Sequence, residues 1–204
     1  MHFIEYKTRN LKGAYLYLPK NQNGIIPLVI WLTGGNDGAQ LPTKFSLGKY
    51  ITEEKLKPDC AVLCPASSYG HNYTTMTKTE LWNLIDLSAK QDGIKHFSSI
   101  GICGWSLGAD ATANLTYESP EIFDRICLIS NWPNAWKNYP ERIDKPVKIL
   151  VGKNEKSSKR DWESLVAKLP DATIERISNY GHNIGENIWL DKNYDLLCWL
   201  AGKN

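Results

Sequence analysis

The chain shows no excess of charge of either sign, no disulfide pattern, no long apolar run and few histidines, and each shortage excludes something. Lys and Arg number 24 against 22 Asp and Glu, a formal net charge of +2. That balance is too even for a nucleic-acid binder or for a protein held on an anionic membrane. One basic cluster, "KNEKSSKR" (153–160), reads as a solvated loop. The longest apolar run, "IIPLVIWL" (25–32), is far short of the ~20 residues a membrane-spanning helix needs. The opening "MHFIEYKTRN" lacks the basic start and apolar stretch of a secretory signal. A cytoplasmic protein with neither membrane nor nucleic acid as partner is the expectation.

The five cysteines (60, 64, 103, 127 and 198) show neither zinc-site spacing nor the density of a disulfide scaffold. Cys60 and Cys64 fall in an apolar stretch that reads as a strand, where their Cα atoms would lie ~13 Å apart, too far for a disulfide. Buried reduced thiols are expected, as in a reducing compartment. Gly and Pro are in no excess that would suggest disorder. With no internal repeat, low-complexity tract or linker, 204 residues predict a single domain over 1–204.

What the chain does have is an alternation of short β-branched runs with longer segments of helical period. The strands predicted are "GAYLYLP", "PLVIWLT", "CAVLCP", "SSIGICG", "RICLIS", "VKILVG" and "TIERIS". Helices are expected at "TELWNLIDLSAK" (79–90) with Thr79 as cap, after Ser106, at "SPEIF" behind Ser119 and Pro120, at "DWESLVAKL" and at "NYDLLCWLA". Strand–helix alternation predicts an α/β protein whose mostly parallel sheet is covered by helices on both faces, with an antiparallel edge before Pro19.

In such a sheet, chemistry gathers at the carboxyl ends of the strands. Ser106 stands there, in "GICGWSLGADA", between a strand and a helix rich in small residues. G-x-S-x-G at that junction is a nucleophile elbow: the serine takes a strained backbone conformation, and Gly104 and Gly108 leave room for the turn. A serine hydroxyl needs a base. Of four histidines, His2 lies at a terminus and His96 at the wrong end of the sheet. His182, in "SNYGHNIGEN" beyond the last strand, is the expected base, with Gly181 leaving its ring free to turn inward; His71 is the rival.

An imidazole base needs a carboxylate on its other nitrogen to hold its tautomer. Glu155 is the first carboxylate past "VKILVG", with Asn154 as a neutral alternative. Asp161 and Asp110 each sit in the first turn of an expected helix, where the dipole explains them. An oxyanion needs two fixed N–H donors. Leu107, heading the helix, offers one; Gly35 in "TGGND" (33–37), or else Asn36, offers the other.

With these pieces in place, the chain resembles the α/β-hydrolase superfamily of serine esterases over nearly its whole length. More narrowly it is similar to compact bacterial esterases and "predicted peptidases" akin to polyhydroxybutyrate depolymerases and carbohydrate esterases. The matching stretches are "YLPKN", "IPLVIWLTGG", "GWSLGADATANLTYESPEIFDRICLIS", "GHN" and "NYDLLCWL". The resemblance implies an α/β-hydrolase fold and hydrolysis of carboxylic esters through an acyl-enzyme, with no metal or organic cofactor and a small-molecule ester as substrate. This sequence departs from the pattern at Thr33, where a histidine is common, at Ala109, where glycine is frequent, and at Glu155, where aspartate is usual. Trp105, Trp132, Trp136, Tyr69 and Tyr73 are the expected pocket walls. The stretch 131–145 is too short for a cap domain, so a minimal lid, an open pocket and short-chain or small polar esters are expected. A thioesterase or acyltransferase would use the same groups, and a binding module of this fold would be expected to lose one of them.

Overall fold

Alternation of side chains through one central sheet organises the molecule. The computed structural model describes residues 1–20, 24–35, 42–68, 73–130, 143–155 and 169–203. Their strands are β1 (His2–Glu5), β2 (Leu11–Tyr17), β3 (Ile25–Leu32), β4 (Ala61–Ser67), β5 (His96–Trp105), β6 (Arg125–Ile129), β7 (Val147–Gly152) and β8 (Ala172–Ile177). They form one sheet in the order β1-β2-β4-β3-β5-β6-β7-β8. β1 and β2 pair antiparallel, as do β2 and β4; all the remaining pairs are parallel. The antiparallel edge expected before Pro19 is a hairpin, and β1 was not predicted because its only buried residue is Ile4.

The central strands are buried on both faces, hence their near-continuous apolar runs. Along β3, Ile26, Leu28, Ile30 and Leu32 point into one core, while Val29 and Trp31 point into the other. The first core is closed by α2 (Lys78–Ala89) and α3 (Leu107–Glu118). The second is closed by α1 (Ser46–Thr52), α4 (Ile184–Asn187) and α5 (Leu196–Leu200). Each large side chain so buried contributes about 1.5–3 kcal/mol relative to exposure.

Several expected boundaries move for local reasons. The cap of α2 is Thr77, not Thr79, because Glu80 three residues on completes a capping box with it. "SPEIF" forms only a 3-10 turn over Pro120–Ile122, since Ile122 and Phe123 must drop into the core before β6 begins at Arg125. The C-terminal helix starts at Leu196, with Asp195 accepting from the Cys198 N–H. α1 and α4 were not predicted; both are short. The helix expected over 161–169 and the minimal-lid stretch lie largely outside the described residues. Cys60, Cys64, Cys103 and Cys127 are buried free thiols, and Cys198 is half-buried. No described helix is long and apolar enough to cross a membrane.

Candidate active site

The carboxyl ends of β5, β6, β7 and β8 meet in one place, and four side chains converge there. Ser106 follows β5 with φ 54° and ψ −120°, a backbone region that L-residues rarely occupy. Its N–H donates to the Ile129 carbonyl at 2.9 Å, which holds the turn against β6. The flanking glycines are required by contact. A Cβ on Gly104 would stand 2.1 Å from the Gly108 carbonyl oxygen, and one on Gly108 would stand 2.2 Å from that of Leu32. Ala109, Ala111 and Ala113 are buried and let α3 lie against the sheet.

The His182 ring bridges two of the converging groups. Its Nε2 lies 3.0 Å from Ser106 Oγ and its Nδ1 lies 2.7 Å from Glu155 Oε1. With the proton on Nδ1, the ring donates to Glu155 and accepts from the serine hydroxyl. The two partners differ in exposure: the His182 side chain is 50% exposed and that of Glu155 only 7%. An open ring backed by a sheltered carboxylate can exchange protons with a substrate while its other side stays dry.

The loops that present these groups are tied by their backbones. Lys153 and Asn154 donate N–H bonds to the Ile177 and Tyr180 carbonyls, so the acid's loop runs against the histidine's. Gly152, not Gly181, is the glycine this approach needs. A Cβ on Gly152 would lie 2.3 Å from the Gly181 carbonyl oxygen, whereas one on Gly181 meets nothing nearer than 3.8 Å. Asn154 is itself exposed.

Two of the expected pocket walls, Trp105 and Tyr73, are buried and hydrogen-bonded. Trp105 is 8% exposed, its Nε1–H donates to the His182 carbonyl at 2.7 Å, and its ring centroid lies 5.6 Å from the imidazole's. Its ring packs beside the imidazole and its N–H ties down the histidine's backbone. Tyr73 is 1% exposed and its hydroxyl donates to the Pro65 carbonyl at 2.7 Å while accepting from Thr33 Oγ1 at 3.3 Å. Thr33, standing where a histidine is common in the resembling family, is thus pinned through Tyr73 to the end of β4. Tyr69, Trp132 and Trp136 lie outside the described residues, as do His71, Asp161 and Asn36.

The loop after β3 runs beside the elbow: a Cβ on Gly34 would come 3.1 Å from Ser106 Cβ. Gly35 follows with φ +56°. Leu107 opens α3, where helix N–H groups have no intrahelical acceptor. Ser130, which sequence reasoning missed, donates from its hydroxyl to Glu155 Oε2 at 2.6 Å. A serine closing a strand carries no signal by itself, and only the pairing of β6 with β7 brings it to the acid.

Among the described residues no group of three or more His, Cys, Asp or Glu side chains gathers as a metal would require. A surface cavity of about 800 Å³ lies beside the start of β4, lined in part by His2, Tyr17, Lys20, Ile51, Lys57 and Asp59. It contains none of the four converging side chains.

No protein-family model matches the chain, and no curated protein matches it in sequence. Solved structures do. Est1E from Butyrivibrio proteoclasticus superposes with a TM-score of 0.63 at 17% identity, covering 91% of each chain. An α/β hydrolase from the sediment metagenome of the Mar Chica lagoon, Morocco, gives 0.58 at 15%, with 92% of each chain covered.

The chain has the α/β-hydrolase fold. A 2-hydroxy-6-oxo-6-phenylhexa-2,4-dienoate hydrolase from Rhodococcus sp. strain RHA1 shares it at a TM-score of 0.60 and 14% identity, covering 92% of this chain and 95% of that one.

Proposed function

We propose that the protein is a serine hydrolase that cleaves carboxylic esters through an acyl-enzyme. The observation that carries this is the hydrogen-bonded line from Ser106 Oγ through His182 to Glu155, at 3.0 and 2.7 Å. In the first half-reaction Ser106 Oγ attacks the ester carbonyl carbon while His182 Nε2 takes the hydroxyl proton. Glu155 keeps the ring in the needed tautomer and offsets the charge it gains. The tetrahedral oxyanion is met by the N–H groups of Leu107 and Gly35. The C–O bond to the leaving alcohol breaks, and His182 returns the proton to that oxygen. Water then attacks the acyl carbon, again losing its proton to His182, and Ser106 departs with it as the carboxylic acid leaves.

Short-chain or small polar esters fit a histidine left half-exposed at the site. One related structure, at 16% identity, is of Est1E with ferulic acid bound, so feruloyl esters belong in the substrate panel. Four buried free thiols suit a reducing, cytoplasmic setting. A thioesterase or acyltransferase would differ only in the bond attacked or the acceptor. The test is labelling with a fluorophosphonate, mapped by mass spectrometry, beside kcat/KM for p-nitrophenyl esters of graded length. Ser106 should carry the label, and Ser106→Ala should lower turnover by several orders of magnitude. A Ser106→Ala variant with near-normal esterase activity would refute the assignment.

A further inference from the structure

Ser130 takes no part in those acyl-transfer steps, yet its backbone is as unusual as that of Ser106. It follows β6 with φ +51°, is 1% exposed, and donates its N–H to the Leu150 carbonyl at 2.8 Å. Left-handed backbone favours Gly, Asn and Asp, and serine is none of these. In the sheet β6 lies between β5, which carries the nucleophile, and β7, which carries the acid. Trp105 is in register with Ile129, so the two serines end neighbouring strands side by side. The strained turn at Ser130 aims its hydroxyl along the sheet at Glu155 Oε2, 2.6 Å away.

The chemistry gives that contact a purpose. Glutamate has one more rotatable bond than aspartate, so a bond to its second oxygen narrows the ways in which Oε1 can meet the imidazole. We propose that Ser130 is a positioning residue for the acid: its buried hydroxyl holds Glu155 Oε2, which helps set Oε1 in line with His182 Nδ1. This rests on the esterase assignment above and adds a fourth member to the chain Ser106–His182–Glu155. It also accounts for a glutamate working where aspartate is usual.

The second-order rate of fluorophosphonate labelling at Ser106 measures activation of the nucleophile without a known substrate. Ser130→Ala and Ser130→Gly should each label about tenfold to a hundredfold more slowly, as for a lost hydrogen bond to a charged group. With p-nitrophenyl acetate the loss should fall on kcat, with KM little changed. Both variants lose the hydroxyl but only glycine relieves the positive φ, so Ser130→Gly should melt above Ser130→Ala. Ser130→Thr keeps the hydroxyl in a less favourable backbone, so it should label faster than Ser130→Gly while melting lower. In a Glu155→Gln background, Ser130→Ala should cost less than about twofold, because its effect passes through the carboxylate. Parent-like labelling of Ser130→Ala, recovery of rate in Ser130→Gly, or an undiminished loss in the Glu155→Gln background would each overturn the proposal. If the Thr variant fails to fold, the Ala and Gly variants and the Glu155→Gln cycle still decide. Ser106→Ala is the control: turnover surviving there removes the esterase assignment and Ser130's role together. Inactive Ser106→Ala and Glu155→Gln beside a normal Ser130→Ala would remove only the latter.

Discussion

Replacing Gly108 by alanine should damage the site through backbone, without touching any of the four converging side chains. The added Cβ would stand 2.2 Å from the Leu32 carbonyl oxygen and 2.4 Å from that of Thr33. Real Cβ atoms essentially never approach another heavy atom within 3.0 Å, so the elbow helix and the end of β3 must move apart. Neither obstacle can rotate aside, because both are main chain. The displacement moves either the Leu107 N–H at the head of α3 or the loop bearing Gly34 and Gly35. Donors to an oxyanion work within a window of about 0.4 Å, and losing one costs about a hundredfold to a thousandfold in kcat. Overpacking of this kind also costs about 1–3 kcal/mol in stability. Gly181→Ala is the matched control, since its Cβ meets nothing nearer than 3.8 Å. Steady-state kinetics on p-nitrophenyl acetate, with urea melts of both variants, should give a crippled, destabilised Gly108→Ala and a near-parental Gly181→Ala. Equal activities in the two variants would refute the reasoning from contact distances.

Tyr73→Phe removes the hydroxyl between Thr33 and the Pro65 carbonyl; it should cost about 1–3 kcal/mol by urea melt and lower kcat more than it raises KM. A variant with unchanged stability and kcat would show that the strut does not hold the loop after β3. Glu80 titrates in a second network, far along the chain from the site. Burial works against its charge, but bonds from the Thr77 N–H, Thr8, Asn10 and the Thr77 hydroxyl outweigh that and hold its carboxyl below the ordinary value of 4.5. A lowered folded-state value stabilises the fold above the unfolded value, and that contribution is lost as pH falls through the folded one. Glu80→Gln should therefore be less stable than the parent near neutrality, with the gap narrowing as pH falls through the lowered carboxyl's value. A gap that stays constant into acid would show that the charge contributes nothing.

Much of this architecture was legible because its causes are local. Runs such as "LVIWL" (28–32) and "ICLI" (126–129) are apolar at every position, which only a strand covered on both faces can use, and the elbow glycines mark a turn that would otherwise collide with itself. Ser106, Glu155 and His182 were each legible as the candidate residue just past a strand end, and the structure brings those three side chains into hydrogen-bonding contact. Other features depend on which strands become neighbours, and no residue carries that in its own type. Trp105 and Tyr73 look like pocket aromatics in sequence because both adjoin candidate site residues; their burial comes from the His182 loop and from Thr33, which fold back from elsewhere in the chain. Thr77 rather than Thr79 caps α2 because the side chain of Glu80 is in reach of only one of them. Ser130 is the clearest case. It lies 25 residues from Glu155, and only the parallel pairing of β6 with β7 turns a serine at a strand end into a hydrogen-bond donor to the acid. Alternation and turn chemistry act over a few residues and can be read along the chain; contacts between strand ends are set by packing the whole sheet, which a linear pattern does not contain.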